Sequence, residues 1–335
     1  MKKYDLPFKA LHILSDGNFH SGEKIAAEIG CSRVTVWKSI SELKTLGINI
    51  FSVKKKGYRL PKKISFLNAE NIQRELGELN QFVNLELINV TDSTNKYLNS
   101  SATIKPHASV VIANIQTKGK GRRGRSWQTS VGESLAMSLL WKFDKGASGL
   151  SGLSLVIGVA IQRLMKKIGI NNSFLKWPND LLILEDDAYF KLAGVLIELQ
   201  GDLESRCSAV IGVGINYDLS NDIIKNIDQP VANIKKYLNS DIDLNQLSAM
   251  LIREIIGSLS EFESNGFSSI REEWLLYNAF KDKTISFIKS SGEIITGQIV
   301  DIETDGALKI LQNNGMHEIL ISGEVSQQKI NFDAT

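Results

Sequence analysis

Apolar residues recur at helical spacing three times along the first sixty positions and then at alternate positions. Leu6 to Ser15 predicts a short amphipathic helix ended by Asp16-Gly17-Asn18. Ser21 is placed to cap a second helix reaching Gly30, with Ile25, Ala26 and Ile29 inward. After the turn Gly30-Cys31-Ser32, Ser32 caps a third in which Val36, Ile40 and Leu43 fall on one face until Gly47 stops it. Two helices joined by so short a turn form a helix-turn-helix. Ile48 to Val53 then alternates like a strand, Lys54-Lys55-Lys56-Gly57 turns, and Tyr58-Arg59-Leu60 returns as a wing.

Pro61-Lys62-Lys63 closes this unit, and the pattern sets a boundary near residue 63. Asn68 to Leu79 reads as a helix. From there to about 270, short apolar strands (Leu85 to Val90, Val110 to Ile115, Leu135 to Trp141, Val195 to Leu199, Ala209 to Ile215) mix with two helices, Gly152 to Ile168 and Leu244 to Ser264. That predicts a mixed α/β domain over 64–270. In 271–335, four short strands (Thr284 to Ile288, Ile294 to Val300, Ala307 to Leu311, Glu318 to Ile321) are separated by glycine-bearing turns, and a small β-barrel of four or five strands is expected. The fold class is α+β multidomain.

Composition narrows the context. The 335 residues are 43% hydrophobic, enough for several cores. No uninterrupted apolar run of about 18 residues occurs, and the N-terminus has acids and a proline where a signal peptide needs an apolar run. A cytoplasmic chain with no membrane partner is expected. Cys31 and Cys207 are too few for a disulfide framework and lack metal-ligand spacing.

The total charge of +2 conceals an asymmetry. Residues 1–63 hold thirteen basic against five acidic side chains, a net of +8, which leaves −6 for the rest. A helix bearing Ser32, Arg33, Thr35, Trp37 and Lys38 beside a turn of Lys54, Lys55 and Lys56 suits DNA, the helix in the major groove and the lysines on phosphates. A basic protein-interaction module fits the same residues.

The densest positive run lies elsewhere. KGKGRRGR, residues 118–125, has five positive charges and three glycines and follows the apolar strand ending near Ile115. Glycines at 119, 121 and 124 let a backbone fold around an anion while Arg122, Arg123 and Arg125 neutralise it. The run is neither a Walker loop nor a Rossmann fingerprint, and by itself it leaves both phosphate and nucleic acid open.

Four further motifs accompany it: Asp92-Ser93-Thr94-Asn95, Lys176-Trp177-Pro178-Asn179-Asp180, Lys191-Leu192-Ala193-Gly194 and Gly212-Val213-Gly214-Ile215-Asn216. In this order, with the winged helix before and the β-rich tail after, they resemble the biotin protein ligases. The resemblance is to the bifunctional bacterial type, ligase and biotin operon repressor in one chain, and covers essentially all 335 residues. It implies a central domain of the biotin ligase, class II synthetase-like type and an SH3-like C-terminal barrel. It further implies that biotin and ATP form biotinyl-5'-AMP, that biotin passes to a lysine of the biotin carboxyl carrier protein of acetyl-CoA carboxylase, and that the adenylate acts as corepressor. Adenylate-bound homodimers would bind operator DNA.

By motif position the resemblance gives Ser93, Thr94, Asn95 and Gln116 to biotin's ureido and neighbouring groups, with Gly119, Lys120, Gly121 and Arg122 around the carboxylate and phosphate. Arg122, Lys176 and Lys191 would carry the chemistry, which is positioning and neutralisation of charge on phosphorus. Arg123, Arg125, Trp127, Asn179 and Asn216 join Arg122 and Lys176 on the ATP side, and Asp180 would orient a lysine or help hold Mg²⁺. Trp127 and Trp177 fit a ligand contact or a packed aromatic equally.

Three departures from the family pattern stand out. Lys120 replaces the arginine of GRG and loses its planar fork. Glu185 to Phe190 lengthens the turn before KLAG, and Ser326-Gln327-Gln328-Lys329 stands where repressor-type members carry an arginine that reaches the adenylate. A biotin-sensing transcription factor without strong ligase activity, or a lipoate-type acyl ligase, remains the alternative on this scaffold.

Overall fold

The computed structural model describes residues 4–202 and 204–326. Its first unit is built from α1 (Asp5–Ile13), α2 (Gly22–Ile29), α3 (Arg33–Thr45) and a hairpin of β1 (Phe51–Val53) and β2 (Gly57–Arg59). Ser21 and Ser32 cap α2 and α3 as the sequence suggests, accepting from the N–H groups of Lys24 (3.1 Å) and Thr35 (3.2 Å). Phe8, Leu11, Ile25, Val36, Ile40 and Leu43 fill the core, while Ile29 is only half-buried. The strand expected from Ile48 is shorter, because Ile48 and Ile50 bury beneath the helices without pairing and the ladder begins at Phe51. Gly57, at φ +100, is required twice over: a β-carbon there would lie 2.0 Å from the His20 carbonyl oxygen, whose residue pairs with Tyr58.

The central unit opens with α4 (Ala69–Leu76), capped by Asn68, and continues through β3 (Asn84–Thr91), α5 (Thr94–Asn99), β4 (Ser109–Gln116), β5 (Ser134–Phe143), α6 (Leu153–Lys167), β6 (Ser173–Lys176), β7 (Asp180–Glu185), β8 (Ala188–Gly201), β9 (Cys207–Asn216), the short α7 (Asn221–Ile224), α8 (Leu244–Asn265) and α9 (Ser268–Leu276). Its seven strands run in the order β3-β4-β5-β9-β8-β7-β6, with β3 and β4 parallel and every other pair antiparallel. The expected boundary at 270 falls within α9, which packs on α6 and α8.

One face of this sheet is covered by helices. Residues 135, 137, 139 and 141 of β5 and 209, 211, 213 and 215 of β9 point into the main core with α6 and α8. Strand alternation sends Ala136, Ser138, Gly212 and Gly214 to the other face. Ala147–Lys167 is apolar and long enough by composition to cross a membrane, but it is mostly buried between the sheet and α8. Leu251 of α8 is fully buried there, and its replacement by alanine would cost about 2–5 kcal/mol.

The last unit is a five-stranded antiparallel sheet of β10 (Thr284–Lys289), β11 (Ile294–Ile302), β12 (Leu308–Gln312), β13 (His317–Leu320) and β14 (Gly323–Ser326), ordered β13-β12-β11-β10-β14. The sequence pattern did not call for β14. The turn between β11 and β12 docks on the central unit through Trp177, whose Nε1–H donates to the Gly306 carbonyl at 3.1 Å. The arginine expected and missing near the C-terminus concerns residues 327–329, outside the described residues.

Candidate functional site

The glycine-bearing face of the sheet forms the floor of a cavity roofed by the start of α5, the basic loop and β14. The floor requires those glycines. A β-carbon at 212 would lie 2.3 Å from Asn95 Oδ1, and one at 214 would lie 2.2 Å from the Trp127 ring. The signal Gly212-Val213-Gly214 therefore serves two seats, one for Asn95 and one for Trp127.

At one end the polar residues lock together. Ser93 caps α5, and the backbone N–H and hydroxyl of Thr94 lie 2.7 and 3.0 Å from Gln116 Oε1. Ser138 Oγ stands 2.7 Å from Thr94 Oγ1 and 2.6 Å from Asn95 Oδ1. Ser93, Thr94 and Asn95 are all buried.

The basic loop is an ordered turn. Gly121 N–H donates to the Arg125 carbonyl at 2.7 Å and Trp127 N–H to that of Gly119 at 2.9 Å. Gly119 has no room for a side chain, since a β-carbon would meet the Trp127 carbonyl oxygen at 2.3 Å. Arg123 (φ +53) and Gly124 (φ +75) make the left-handed reversal that turns Arg122 into the cavity and Arg125 to its rim. Lys120 lines the cavity but is exposed.

Five cations converge here. Arg122 donates to Asn179 Oδ1 at 3.3 Å, and burial, with Arg123 second, pulls its guanidinium below its ordinary pKa. Arg125 pairs with Glu324 of β14 at 2.6 Å and Arg123 reaches the same carboxylate at 3.5 Å. Lys191 Nζ lies 2.8 Å from Asp180 Oδ1, close but not aligned as a hydrogen bond, and 5.6 Å from the Trp127 ring centre. Lys176 is 9% exposed, and no carboxylate lies within 4 Å of its ammonium among the described residues. Burial lowers its pKa, with Asp180 and Glu324 opposing at longer range. A buried ammonium without a counter-ion is a place where an anion is favoured.

Several expectations change in detail. Asp180 faces Lys191, so of its two suggested roles the geometry favours orienting the lysine. No group of three potential metal ligands occurs among the described residues, and a Mg²⁺ that arrives with nucleotide phosphates needs only one or two protein carboxylates. Asn216 borders the second cavity, and its Nδ2 donates to the Lys191 carbonyl at 3.0 Å, fixing the strand that carries that lysine. Asn179 braces Arg122 and donates to the Val195 carbonyl at 2.8 Å. Trp127 lies across Gly214 with its buried Nε1 unpartnered, whereas Trp177 is a packed aromatic holding the last unit. A second cavity adjoins the first, between Trp127, Lys176, Lys191 and Asn216 on one side and residues 226–231 on the other. Glu324 and residues 226–231 escaped the sequence reading, which quoted Gly194 only as part of a motif.

The winged unit presents a separate surface. Trp37 is 60% exposed, and Lys38, Lys54, Lys55 and Lys56 are exposed with no acidic partner among the described residues. Ser32 and Thr35 spend their hydroxyls on the helix cap, and Arg33 pairs with Glu23 at 2.6 Å in an exposed, weak ion pair. Lys62 joins the two units, its ammonium 2.9 Å from Asp218 Oδ2 and 3.6 Å from Glu133 Oε1.

A winged helix, a glycine-floored cavity lined with cations and a small β-rich unit define a ligase that carries its own DNA-binding module. Comparison with known proteins agrees. Residues 87–216 match the Biotin/lipoate A/B protein ligase family, 8–59 an HTH domain and 282–326 the Biotin protein ligase C terminal domain. The chain is 34% identical to the bifunctional ligase/repressor BirA of Salmonella typhimurium over 97% of its own length and 98% of that protein. With the Bacillus subtilis protein of the same name it shares 30% over 90% of its length and 92% of that protein. The biotin protein ligase of Aquifex aeolicus, solved with biotin and ATP, superposes with a TM-score of 0.61 at 26% identity, covering 72% of this chain and 97% of that one. The chain belongs to the bifunctional ligase/repressor BirA family.

Proposed function

We propose that this protein activates biotin with ATP, transfers it to a lysine of a biotin carboxyl carrier protein, and represses transcription through its winged helix. The observation that carries the ligase reading is the buried, unpaired Lys176 beside Arg122 and Lys191, facing a cavity whose far end is lined with fixed amides and hydroxyls. A carboxylate is a poor electrophile until one oxygen is esterified to a good leaving group. The biotin carboxylate oxygen attacks the α-phosphorus of ATP, the bond to the bridging oxygen breaks, and pyrophosphate leaves. Arg122 and Lys176 neutralise charge on the phosphoryl oxygens, and Lys191, freed from Asp180 as the anion arrives, steadies the attacking carboxylate. Mg²⁺ arriving with ATP would supply further neutralisation of phosphate charge, with Asp180 in the cavity wall the carboxylate available to help hold it. The amine of the carrier lysine then attacks the acyl carbon, AMP leaves, and the amine loses a proton.

Ser93, Thr94, Asn95 and Gln116 take the ureido end of biotin, Gly119 to Arg122 wrap the carboxylate and α-phosphate, and the second cavity receives the rest of the nucleotide against Trp127. The adenylate acts as corepressor. Its central acyl-phosphate anion offsets positive charge on a loop whose cations otherwise repel, which favours a homodimer that presents two winged helices to operator half-sites. The protein works in the cytoplasm.

Biotin-dependent exchange of pyrophosphate into ATP, with lipoate as control, followed by transfer to a carrier-domain lysine, tests the ligase. Exchange with biotin and not lipoate is expected. Exchange with lipoate alone would replace the substrate, and none with either would leave a biotin sensor. Operator binding lost on removal of residues 1–63, with ligation retained, tests the repressor.

A further inference from the structure

Glu198 of β8 lies on the cavity side of the sheet, outside the five motifs, and ends a chain of polar groups that starts at the proposed ureido subsite. Its Oε2 accepts from Asn95 Nδ2 at 2.8 Å and from Asn99 Nδ2 at 2.9 Å. The other Asn95 Nδ2 hydrogen goes to the Leu196 carbonyl at 3.2 Å. Both partners of Asn95 Nδ2 are pure acceptors, so the amide has one orientation, with Oδ1 toward Ser138.

Proton counting fixes the rest. Asn95 Oδ1, at 2.6 Å from Ser138 Oγ, only accepts, so the Ser138 proton is directed there. The same hydroxyl also donates to Thr94 Oγ1 at 2.7 Å, so the Ser138 proton is shared between two acceptors. Gln116 Oε1 accepts from both the Thr94 N–H at 2.7 Å and the Thr94 hydroxyl at 3.0 Å. The part of the chain that ends at the carboxylate therefore runs Ser138 to Asn95 to Glu198, while the Thr94 proton points the other way, to Gln116. Thr94 Oγ1 and Asn95 Oδ1 keep their remaining lone pairs as acceptors, while Gln116 Nε2 keeps its hydrogens. A cyclic urea presents two N–H donors and one carbonyl, the complement of this set.

We infer that Glu198 is a positioning residue that sets the donor and acceptor polarity of the biotin subsite and so selects a ureido ring. Without Glu198 only the Leu196 carbonyl at 3.2 Å holds the Asn95 amide, which can then turn over and present Nδ2 in place of Oδ1 to Ser138 and to the donors of the ligand. The inference rests on the proposal that this end of the cavity takes biotin's ureido ring.

Glu198→Ala and Glu198→Gln, assayed by pyrophosphate exchange in the full-length protein with biotin and with lipoate, test it. For Glu198→Ala the biotin KM should rise about tenfold, the size of one misdirected buried hydrogen bond, with kcat at saturation and the ATP KM within about twofold. Glu198→Gln, whose carbonyl can still accept, should lie between it and the wild type. Discrimination against lipoate, which has no ureido group, should narrow in the same order. An unchanged biotin KM in Glu198→Ala overturns the inference, and so does an equal rise in both KM values, which would mark general damage. Thermal unfolding of both variants identifies loss of fold. Absence of biotin-dependent exchange in the wild type would instead defeat the functional reading beneath it.

Discussion

Lys54, Lys55 and Lys56 stand at the tip of a two-stranded hairpin, exposed and without an acidic partner among the described residues. Arg122, Arg123 and Arg125 have similar local charge density but sit on a turn closed by backbone hydrogen bonds, with Glu324 and Asp180 as counter-charges. On the convex tip water screens each ammonium, and the charges act together only along an extended polyanion. At the concave site desolvation lowers the pKa of Lys176 and Arg122, so each positive charge is costly until a compact anion arrives. Curvature and counter-charge, more than the count of basic residues, separate a nucleic-acid surface from a phosphate pocket.

The sharpest way to break this comparison is to remove a buried cation. Lys176→Ala should lower adenylation by about 10²–10³-fold while leaving operator binding by preformed adenylate complex far less affected, read by pyrophosphate exchange and gel shift. Retained exchange would mean that the unpaired ammonium is not at the reacting anion. Next in size, Gly214→Ala should lower adenylation by more than tenfold, because a β-carbon 2.2 Å from the Trp127 ring displaces the residue anchoring the loop's end. Trp127 fluorescence reports whether the ring moved.

Replacing Lys54, Lys55 and Lys56 by alanine should weaken operator binding about tenfold and reduce the slope of log affinity against log salt by about 2–3, with ligation intact. A slope that does not change would remove the lysines from the phosphate contacts.

The smallest effect concerns pH. Burial depresses the Lys176 pKa in the free protein, and an anion bound beside it raises that pKa again. Ligand binding therefore takes up a proton once pH exceeds the depressed value, and affinity falls as pH rises through it. Titration of ATP binding by calorimetry should show a decline beginning below the ordinary lysine range. Lys176→Arg, which does not deprotonate there, should flatten it.

Much of this was legible in the chain. The caps Ser21 and Ser32, the core positions Val36, Ile40 and Leu43, and the strands around 110–115, 135–141 and 209–215 follow from spacing and capping chemistry that act within a few residues. The strand from Ile48 was overdrawn because two apolar residues can bury without pairing. Asn216 was placed by its motif, yet its amide holds the Lys191 backbone, and α5, β6, β7 and β14 were too short for periodicity to reveal.

The sequence by itself determined the longer helices and their caps, where basic charge is dense, and to which family the ordered motifs point. Each is a local property, settled by backbone sterics and side-chain period. Only the tertiary structure decided which charges meet. Glu324 reaches Arg125 across 199 residues, Glu198 meets Asn95 across 103, and Lys62 meets Asp218 across 156. Those meetings depend on β5 lying between β4 and β9 and on β14 docking over the cavity. They are set by sheet order and by the burial of whole faces, which no short window of sequence contains.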